Sequence, residues 1–265
     1  MKRVFITGAS SGLGEALARE YASRGACVGL LARREAALQQ IAASLPNPSL
    51  HAIYPADVND NAALRAAAAD FVQRMGGVDI VIANAGISYG TLTERSGDLE
   101  VFERIIRTNV VATAATFAPF IDSMKTQAAA GERGLRLVGI GSVAGIRGLP
   151  GAEAYSASKA AVISYCESLR IELRRHGIGV VTIAPGYIDT PMTRVNDYPM
   201  PFLLRADRFA QRAWRVIDAG RSYAVIPWPM RGVSWLLRAL PNWLYDALFA
   251  RAPHKPSFDE LNPPP

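Results

Sequence analysis

An α/β fold, with a parallel sheet covered by helices on both faces, is what this sequence predicts, on three observations. Short runs of nearly continuous apolar residues recur along the chain. Each is followed by a stretch of helical periodicity about 10–25 residues long, with turn residues between. No internal repeat and no Gly- or Ser-rich linker breaks the alternation. Strands apolar on both sides belong in a sheet buried on both faces. Right-handed crossovers between parallel neighbours then give a doubly wound, Rossmann-type architecture.

Val4-Phe5-Ile6 is the first apolar run. It ends in a glycine-rich turn over residues 7–14, and residues 15–24 read as a helix. Cys27–Ala32 is a second strand and residues 34–45 a second helix. Residues 50–54, 62–75 and 78–83 continue as strand, helix and strand, and one long helix is predicted over 99–129. Strand 135–140, helix 154–176 and strand 180–184 come next. Arg205, Arg208, Arg212 and Arg215 recur at three and four, opposite Phe209, Ala210, Ala213, Trp214, Val216 and Ile217, which makes an amphipathic helix. A seventh strand is expected over Tyr223–Ile226. Residues 228–240 and 243–250 read as helices apolar almost all round, and the segment from Pro253 to Pro265 as proline-rich and irregular.

A chain of 265 residues fits one large domain with a substantial core, and its apolar half is ordinary for a soluble protein. Cys27 and Cys166 are expected to be buried free thiols of a reducing compartment. The first strand begins at about residue 3, leaving no room for a signal or transit peptide, and no apolar run reaches the ~18 residues of a spanning helix. A cytoplasmic protein is therefore expected. The net charge of +6 is concentrated between Arg205 and Lys255, where nine Lys/Arg face three Asp. The four tryptophans, Trp214, Trp228, Trp235 and Trp243, lie there too.

Residues 155–159 read Tyr-Ser-Ala-Ser-Lys in a stretch free of Gly and Pro, so Tyr155 and Lys159 share one helix face. An ammonium beside a phenol favours the phenolate and draws its pKa down from about 10 toward working pH. Such a pair is suited to interconverting an alcohol and a carbonyl. Thr7-Gly8-Ala9-Ser10-Ser11-Gly12-Leu13-Gly14 lies between a strand and a helix. There backbone N–H groups and the helix dipole can meet a phosphate, and glycines remove the Cβ atoms that would block a pyrophosphate.

Together with Asn84-Ala85-Gly86, Asn109, Ser142, Pro185-Gly186 and Thr190, this order and spacing resembles the short-chain dehydrogenase/reductase family over residues 3–226. The match is to the branch whose chains are about this long. The resemblance implies an NAD(P)(H)-dependent Rossmann fold with a seven-stranded parallel sheet, acting on a small-molecule carbonyl or alcohol. It implies that Tyr155 is the general acid in reduction and that Lys159 lowers the Tyr155 pKa and binds the nicotinamide ribose. Ser142 would orient the substrate carbonyl, and Asn109 would hold a water connecting Lys159 to solvent. Gly8, Ser10, Ser11, Gly12, Leu13 and Gly14 would surround the pyrophosphate. Asp57 and Val58 would meet the adenine, Asn84, Ala85 and Gly86 its ribose, and Pro185, Gly186, Ile188 and Thr190 the nicotinamide.

The second strand ends Leu31-Ala32-Arg33-Arg34. An acidic residue there would bind the ribose 2′-hydroxyl of NAD, whereas Ala32 followed by Arg33 and Arg34 suits the 2′-phosphate of NADP(H). Residues 1–227 are thus expected to form an NADP(H)-binding catalytic domain. Residues 228–265 would be a C-terminal helical extension and tail packed on or near it, a departure from family members that end near the seventh strand. Its apolar helices have three possible sinks: the substrate cleft, a neighbouring subunit or a lipid interface. The basic helix stripe is either a face for anionic head groups or a solvated side of a packed helix.

An apolar or lipid-like carbonyl substrate and peripheral membrane contact are the expectations drawn from that region. A homodimer through the long helix and the Tyr155 helix is expected, with a tetramer as the alternative. No nucleic acid and no metal are expected, His51, His176 and His254 being read as surface or loop residues. Because every catalytic position is filled, an enzyme is expected over an NADPH-binding sensor or a membrane-recruited interaction protein without turnover.

Overall fold

Successive residues of a strand point to opposite sides of a sheet, and here both sides are apolar. The computed structural model describes residues 1–261, so the end of the proline-rich tail, 262–265, lies outside the described residues. The chain runs β1 (Arg3–Thr7), α1 (Gly12–Ser23), β2 (Cys27–Ala32), α2 (Glu35–Ser44), β3 (Ala52–Pro55), α3 (Asn61–Met75) and β4 (Ile80–Ala83). It continues through α4 (Asp98–Ile106), α5 (Ala112–Ala129), β5 (Arg136–Ile140), α6 (Glu153–Arg174) and β6 (Gly179–Pro185). Then come β7 (Ile188–Asp189), β8 (Leu204–Arg205), α7 (Ala206–Asp218), β9 (Tyr223–Ile226), α8 (Pro229–Ala239), α9 (Asn242–Phe249) and α10 (Phe258–Leu261).

Seven strands form one sheet in the order β3-β2-β1-β4-β5-β6-β9, and every pairing in it is parallel. The short β7 and β8 pair separately. The chain winds outward from β1 to β3, returns to β4 beside β1, and winds the other way. This is the doubly wound fold that the alternation predicts, with its switch point between β1 and β4. Val4, Ile6, Val28, Leu30, Ile80, Ile82, Val138 and Ile140 point into one core, with α1, α2 and α7. Phe5, Leu31, Val81 and Leu137 point into the other, with α3, α5 and α6.

The predicted amphipathic helix is α7. Its Phe209, Ala210, Ala213 and Ile217 are buried in the first core beside α1. Burying Phe209 and Ile217 contributes roughly 1.5–3 kcal/mol each, so the apolar side of this helix is committed to the protein. Its arginines face solvent, with Arg205 held bidentately by Asp207.

Three differences from the sequence reading have local causes. First, α1 begins at Gly12, directly on the glycine turn. Second, the long helix is divided by a π-helical turn, Arg107–Val111, whose extra residue lets Asn109 face inward. Third, His51 is buried rather than on the surface. Its Nδ1 accepts from the Val28 amide at 3.2 Å while Nε2 meets the Pro46 carbonyl at 2.9 Å. Cys27 and Cys166 are buried free thiols, and burial pushes Cys166 up to about 11.

The extension is tied to the loop after β5. Arg147 donates to the Leu237 and Leu240 carbonyls and to Asn242 Oδ1, and its guanidinium lies 3.9 Å from the Tyr245 ring centroid. The Tyr245 hydroxyl donates to the Gly148 carbonyl at 2.6 Å. Among the described residues, no helix is long and apolar enough to cross a membrane.

Gly29 marks a tight point of the second core. A Cβ there would stand 2.6 Å from Phe71 and 2.8 Å from Phe5, two rings already packed edge to face at 5.4 Å. Gly29→Ala is expected to destabilise the protein by about 1–3 kcal/mol. Urea unfolding checks it, and an unchanged midpoint would show that the core can yield there.

Candidate active site

At the coenzyme end, the turn from β1 to α1 uses left-handed backbone at Gly8 (φ 67°) and Gly12 (φ 58°), which glycine adopts without steric cost. A Cβ on Gly8 would meet the Ala85 backbone at 2.8 Å. Ser11 precedes α1 in extended geometry and makes no side-chain bond back to the helix, so no cap answers its first-turn N–H groups. Gly14 has a different task. Its Cβ would stand 2.2 Å from the Gly8 carbonyl and 2.6 Å from Asn84 Nδ2. It packs the turn against β4 and does not line the cleft.

Asn84 closes this junction. Its Nδ2 donates to the carbonyls of Thr7 (3.0 Å) and Gly8 (3.3 Å), while Thr7 Oγ1 accepts from the Asn84 and Ala85 amides. Past β2, Arg34 donates to the Ser10 carbonyl at 3.0 Å and to Ser10 Oγ. Arg33 is 75% exposed and stands 4.0 Å from the Asp57 carboxylate. Two guanidinium groups and a hydroxyl thus gather where β2 ends, with Ala32 buried in place of an acid.

The chemical end lies where β4, β5 and β6 stop. Ser142 precedes a 3-10 turn (Val143–Gly145), and its Oγ accepts from the Ala144 amide at 3.1 Å. That leaves its proton free, and Ser142 stands near enough to the Tyr155 phenol to favour its ionised form. Lys159, one turn along α6 from Tyr155, donates to the Ile140 carbonyl at 2.9 Å.

The structure corrects one expectation here. Burial raises the Tyr155 pKa, opposed by the neighbouring Ser142 hydroxyl. Lys159 does not pull it down, because the amine is turned toward Ile140 and lies 5.7 Å from the phenol ring centroid. Burial also lowers the ammonium of Lys159 to about 8. Desolvation disfavours the charged form of either group, so the two move in opposite directions.

Asn109 sits behind this pair. Its Oδ1 accepts from the Ile87 amide at 2.8 Å, and its Nδ2 donates to the Ile87 carbonyl and to Ser158 Oγ. Gly86 is the spacer, since a Cβ there would stand 3.1 Å from Asn109 Oδ1 and 3.6 Å from Lys159 Nζ. The amide of Asn109 is therefore engaged by protein atoms, and the residue does not line the cleft.

A single cleft of about 540 Å³ connects the two ends. It is lined by Gly8, Ser10, Ser11, Gly12, Leu13, Arg33, Arg34, Asp57 and Val58. Asn84, Ala85, Gly86, Ser142, Tyr155, Lys159, Pro185, Gly186, Ile188 and Thr190 complete that side. All the site residues named from sequence are there except Gly14 and Asn109. The cleft is also lined by Tyr89, Arg104, Arg107, Thr108, Met192 and Thr193, which the sequence reading did not single out. Arg104, Arg107 and Thr108 follow helical spacing toward Asn109, a signal indistinguishable from a solvated helix face. Among the described residues, no group of three or more His, Cys, Asp or Glu could hold a metal ion.

A family model described as short chain dehydrogenase matches residues 2–199. An uncharacterized oxidoreductase from Myxococcus xanthus is 36% identical over 254 residues, covering 94% of this chain and 97% of that protein. Among solved structures, a short-chain dehydrogenase/reductase from Burkholderia phymatum in complex with NAD superposes with a TM-score of 0.80 at 26% identity, over 96% of this chain and 97% of that one. An alcohol dehydrogenase from the archaeon Thermococcus sibiricus, complexed with 5-hydroxy-NADP, gives 0.75 at 27% identity, over 85% and 96%. The seven-stranded parallel sheet agrees with these matches, and the chain belongs to the short-chain dehydrogenase/reductase family of oxidoreductases.

Proposed function

We propose that this protein is an NADP(H)-dependent oxidoreductase that interconverts a ketone and a secondary alcohol. The observation that carries the reading is the pairing of Tyr155 with Ser142 at one end of a cleft whose other end is a glycine turn beside two arginines. The cradle fits a dinucleotide: Gly8, Gly12 and Gly86 line it without side chains, and no acidic side chain stands at the end of β2. The turn from Gly8 to Leu13 would hold the pyrophosphate, and Arg33, Arg34 and Ser10 the 2′-phosphate. Asp57 and Val58 would meet the adenine, Asn84 to Gly86 its ribose, and Lys159 the nicotinamide ribose. Pro185, Gly186, Ile188 and Thr190 would surround the nicotinamide, and Gly14 and Asn109 support these groups from behind. When bound, the nicotinamide supplies or accepts the hydride.

The protein's own share is proton transfer and polarisation. Ser142 and Tyr155 both line the cleft, so one substrate oxygen can take donors from both. Burial keeps Tyr155 protonated at neutral pH, the form that reduction requires. Tyr155 gives its proton to the substrate oxygen in reduction and takes it back in oxidation. Ile87, Tyr89, Ile140 and Met192 line the cleft, which favours an apolar substrate.

The extension supports a membrane partner and a second copy of the chain. Trp228, Trp235 and Trp243 are 78%, 73% and 71% exposed, and Arg231, Arg238 and Arg251 are exposed alongside them in sequence. Aromatic and basic side chains together suit a membrane surface, so the protein is read as a cytoplasmic enzyme with peripheral membrane contact. Exposed small residues Ala157 and Ala160 on α6, with Val111 beside α5, suit a homodimer.

Arg33→Ala is expected to lower the ratio of NADPH to NADH affinity about tenfold or more, since hydrogen bonds to charged groups are worth about 1.5–3 kcal/mol. Fluorescence titration measures it, and an unchanged ratio removes the NADP(H) assignment. Tyr155→Phe should keep NADPH binding while ketone reduction falls by about 10²–10⁴-fold; near-normal turnover would mean that another acid serves. In sedimentation, the protein should run as a dimer and pellet with phosphatidylglycerol vesicles, less so as Trp235→Ser/Trp243→Ser. A monomer, or no vesicle binding at low salt, would remove the corresponding call.

A further inference from the structure

The segment leading into α10 crosses the substrate end of the cleft. The Gly90 amide donates to the Pro256 carbonyl at 2.8 Å, and Gly90 and Ser257 form a parallel bridge. The crossing is possible only over glycine, because a Cβ on Gly90 would lie 2.0 Å from the Lys255 carbonyl. Gly151 repeats the arrangement on the loop after β5, where a Cβ would meet the His254 ring at 2.5 Å. Beyond the crossing, Phe258 packs edge to face on Tyr89 at 5.1 Å, with the Arg104 guanidinium 4.4 Å from its ring centroid. Tyr89 and Arg104 both line the cleft.

Lys255 is the joint of this segment. Its Nζ donates to Ser88 Oγ at 3.0 Å and to the Met192 carbonyl at 3.2 Å. Ser88 lies on the loop after β4, between Ile87 and Tyr89, and Met192 on the loop after β6. Residues of both loops, Ile87 and Tyr89 on one and Met192 on the other, line the cleft. Both partners are neutral oxygens, and among the described residues no ion pair holds the amine. Burial lowers the ammonium to about 8, so the charged form still predominates at neutral pH, and a charged donor makes the stronger kind of hydrogen bond. Lys255 thus ties the two loops to each other at the chamber mouth.

We propose that residues 253–258 form a strap closing the substrate end, and that Lys255 is a positioning residue whose bridge between Ser88 and Met192 fixes the chamber's width and excludes bulky carbonyls. This rests on the oxidoreductase reading for its substrate, while the bridge itself can be measured without turnover.

The test compares the wild-type chain with Lys255→Met, which keeps length but removes the donors, and Lys255→Arg, which restores a cation. Hydrogen–deuterium exchange on the intact protein should speed at least tenfold in residues 88–91 and 192–194 in Lys255→Met, and revert partly in Lys255→Arg. In parallel, kcat/KM is measured with NADPH for an aryl methyl ketone and its octyl homologue. Lys255→Met should shift the ratio at least fivefold toward the octyl ketone, through KM more than kcat, with NADPH affinity within about twofold of wild type. Unchanged exchange in both segments overturns the strap. Faster exchange with an unmoved ratio overturns the width claim. If wild type reduces neither ketone and binds no NADPH, the oxidoreductase reading fails, and the exchange result alone decides the bridge.

Discussion

The join between β1 and β4 is the constraint on which the active edge of this protein depends. Two parallel strands lie side by side there although the chain leaves them in opposite directions, and a crevice opens between the departing segments. Thr7 and Asn84 close the bottom of that crevice by exchanging side-chain and backbone hydrogen bonds. The half-buried side-chain amide of Asn84 donates to the backbone oxygens of Thr7 and Gly8. Gly14 lets α1 descend onto the same point, since a methyl group there would collide with Gly8 and Asn84. The start of α1, the end of β4 and the glycine turn are therefore fixed relative to one another before any ligand is considered. A phosphate-binding turn needs that rigidity, because its donors are backbone groups that cannot adjust as side chains do.

At the other end of the cleft, burial sets the protonation states. The same desolvation that raises the Tyr155 phenol lowers the Lys159 ammonium. A phenol and an ammonium one helical turn apart, nearly matched in proton affinity in water, are thereby moved apart, the phenol holding its proton more tightly and the amine less. Asn109 contributes from behind by holding both backbone groups of Ile87 and the hydroxyl of Ser158. It can face inward because the helix carrying it makes a π turn at that residue. The site is thus built in two depths: side chains that touch the cleft, and a polar layer that orients the backbone around them.

The C-terminal extension is bound to the catalytic part through the loops that shape the substrate chamber. Arg147 answers the last carbonyls of α8, which lack intrahelical partners. Tyr245 reaches back to Gly148, and the strap crosses at Gly90 and Gly151. The matched family model stops at residue 199, so these contacts are made by sequence beyond the shared motif set. Specificity elements belong in such a region, where loops vary while the scaffold stays fixed.

How much could be read beforehand follows from the range of the interactions. Strand and helix identity was legible, because periodicity and turn chemistry are properties of near neighbours. The site cluster was legible through its motifs, whose spacing reports the return of successive strands to one edge. The sequence could not reveal that His51 would be buried, since its partners are Val28 and Pro46 on neighbouring segments. Nor could it reveal that Lys159 would turn to Ile140 rather than to the phenol, a choice made by the depth of the pocket.

The role of the tail was the least legible of all. Lys255 and Ser88 are 167 positions apart, and nothing in the composition of a proline-rich segment says which loop it will cross. The sequence by itself determined the order of strands and helices and which residues meet at the carboxyl edge of the sheet. Only the tertiary structure decided the charge states of the buried pair and the path of the tail, because burial and long-range contact exist only once the chain has closed on itself.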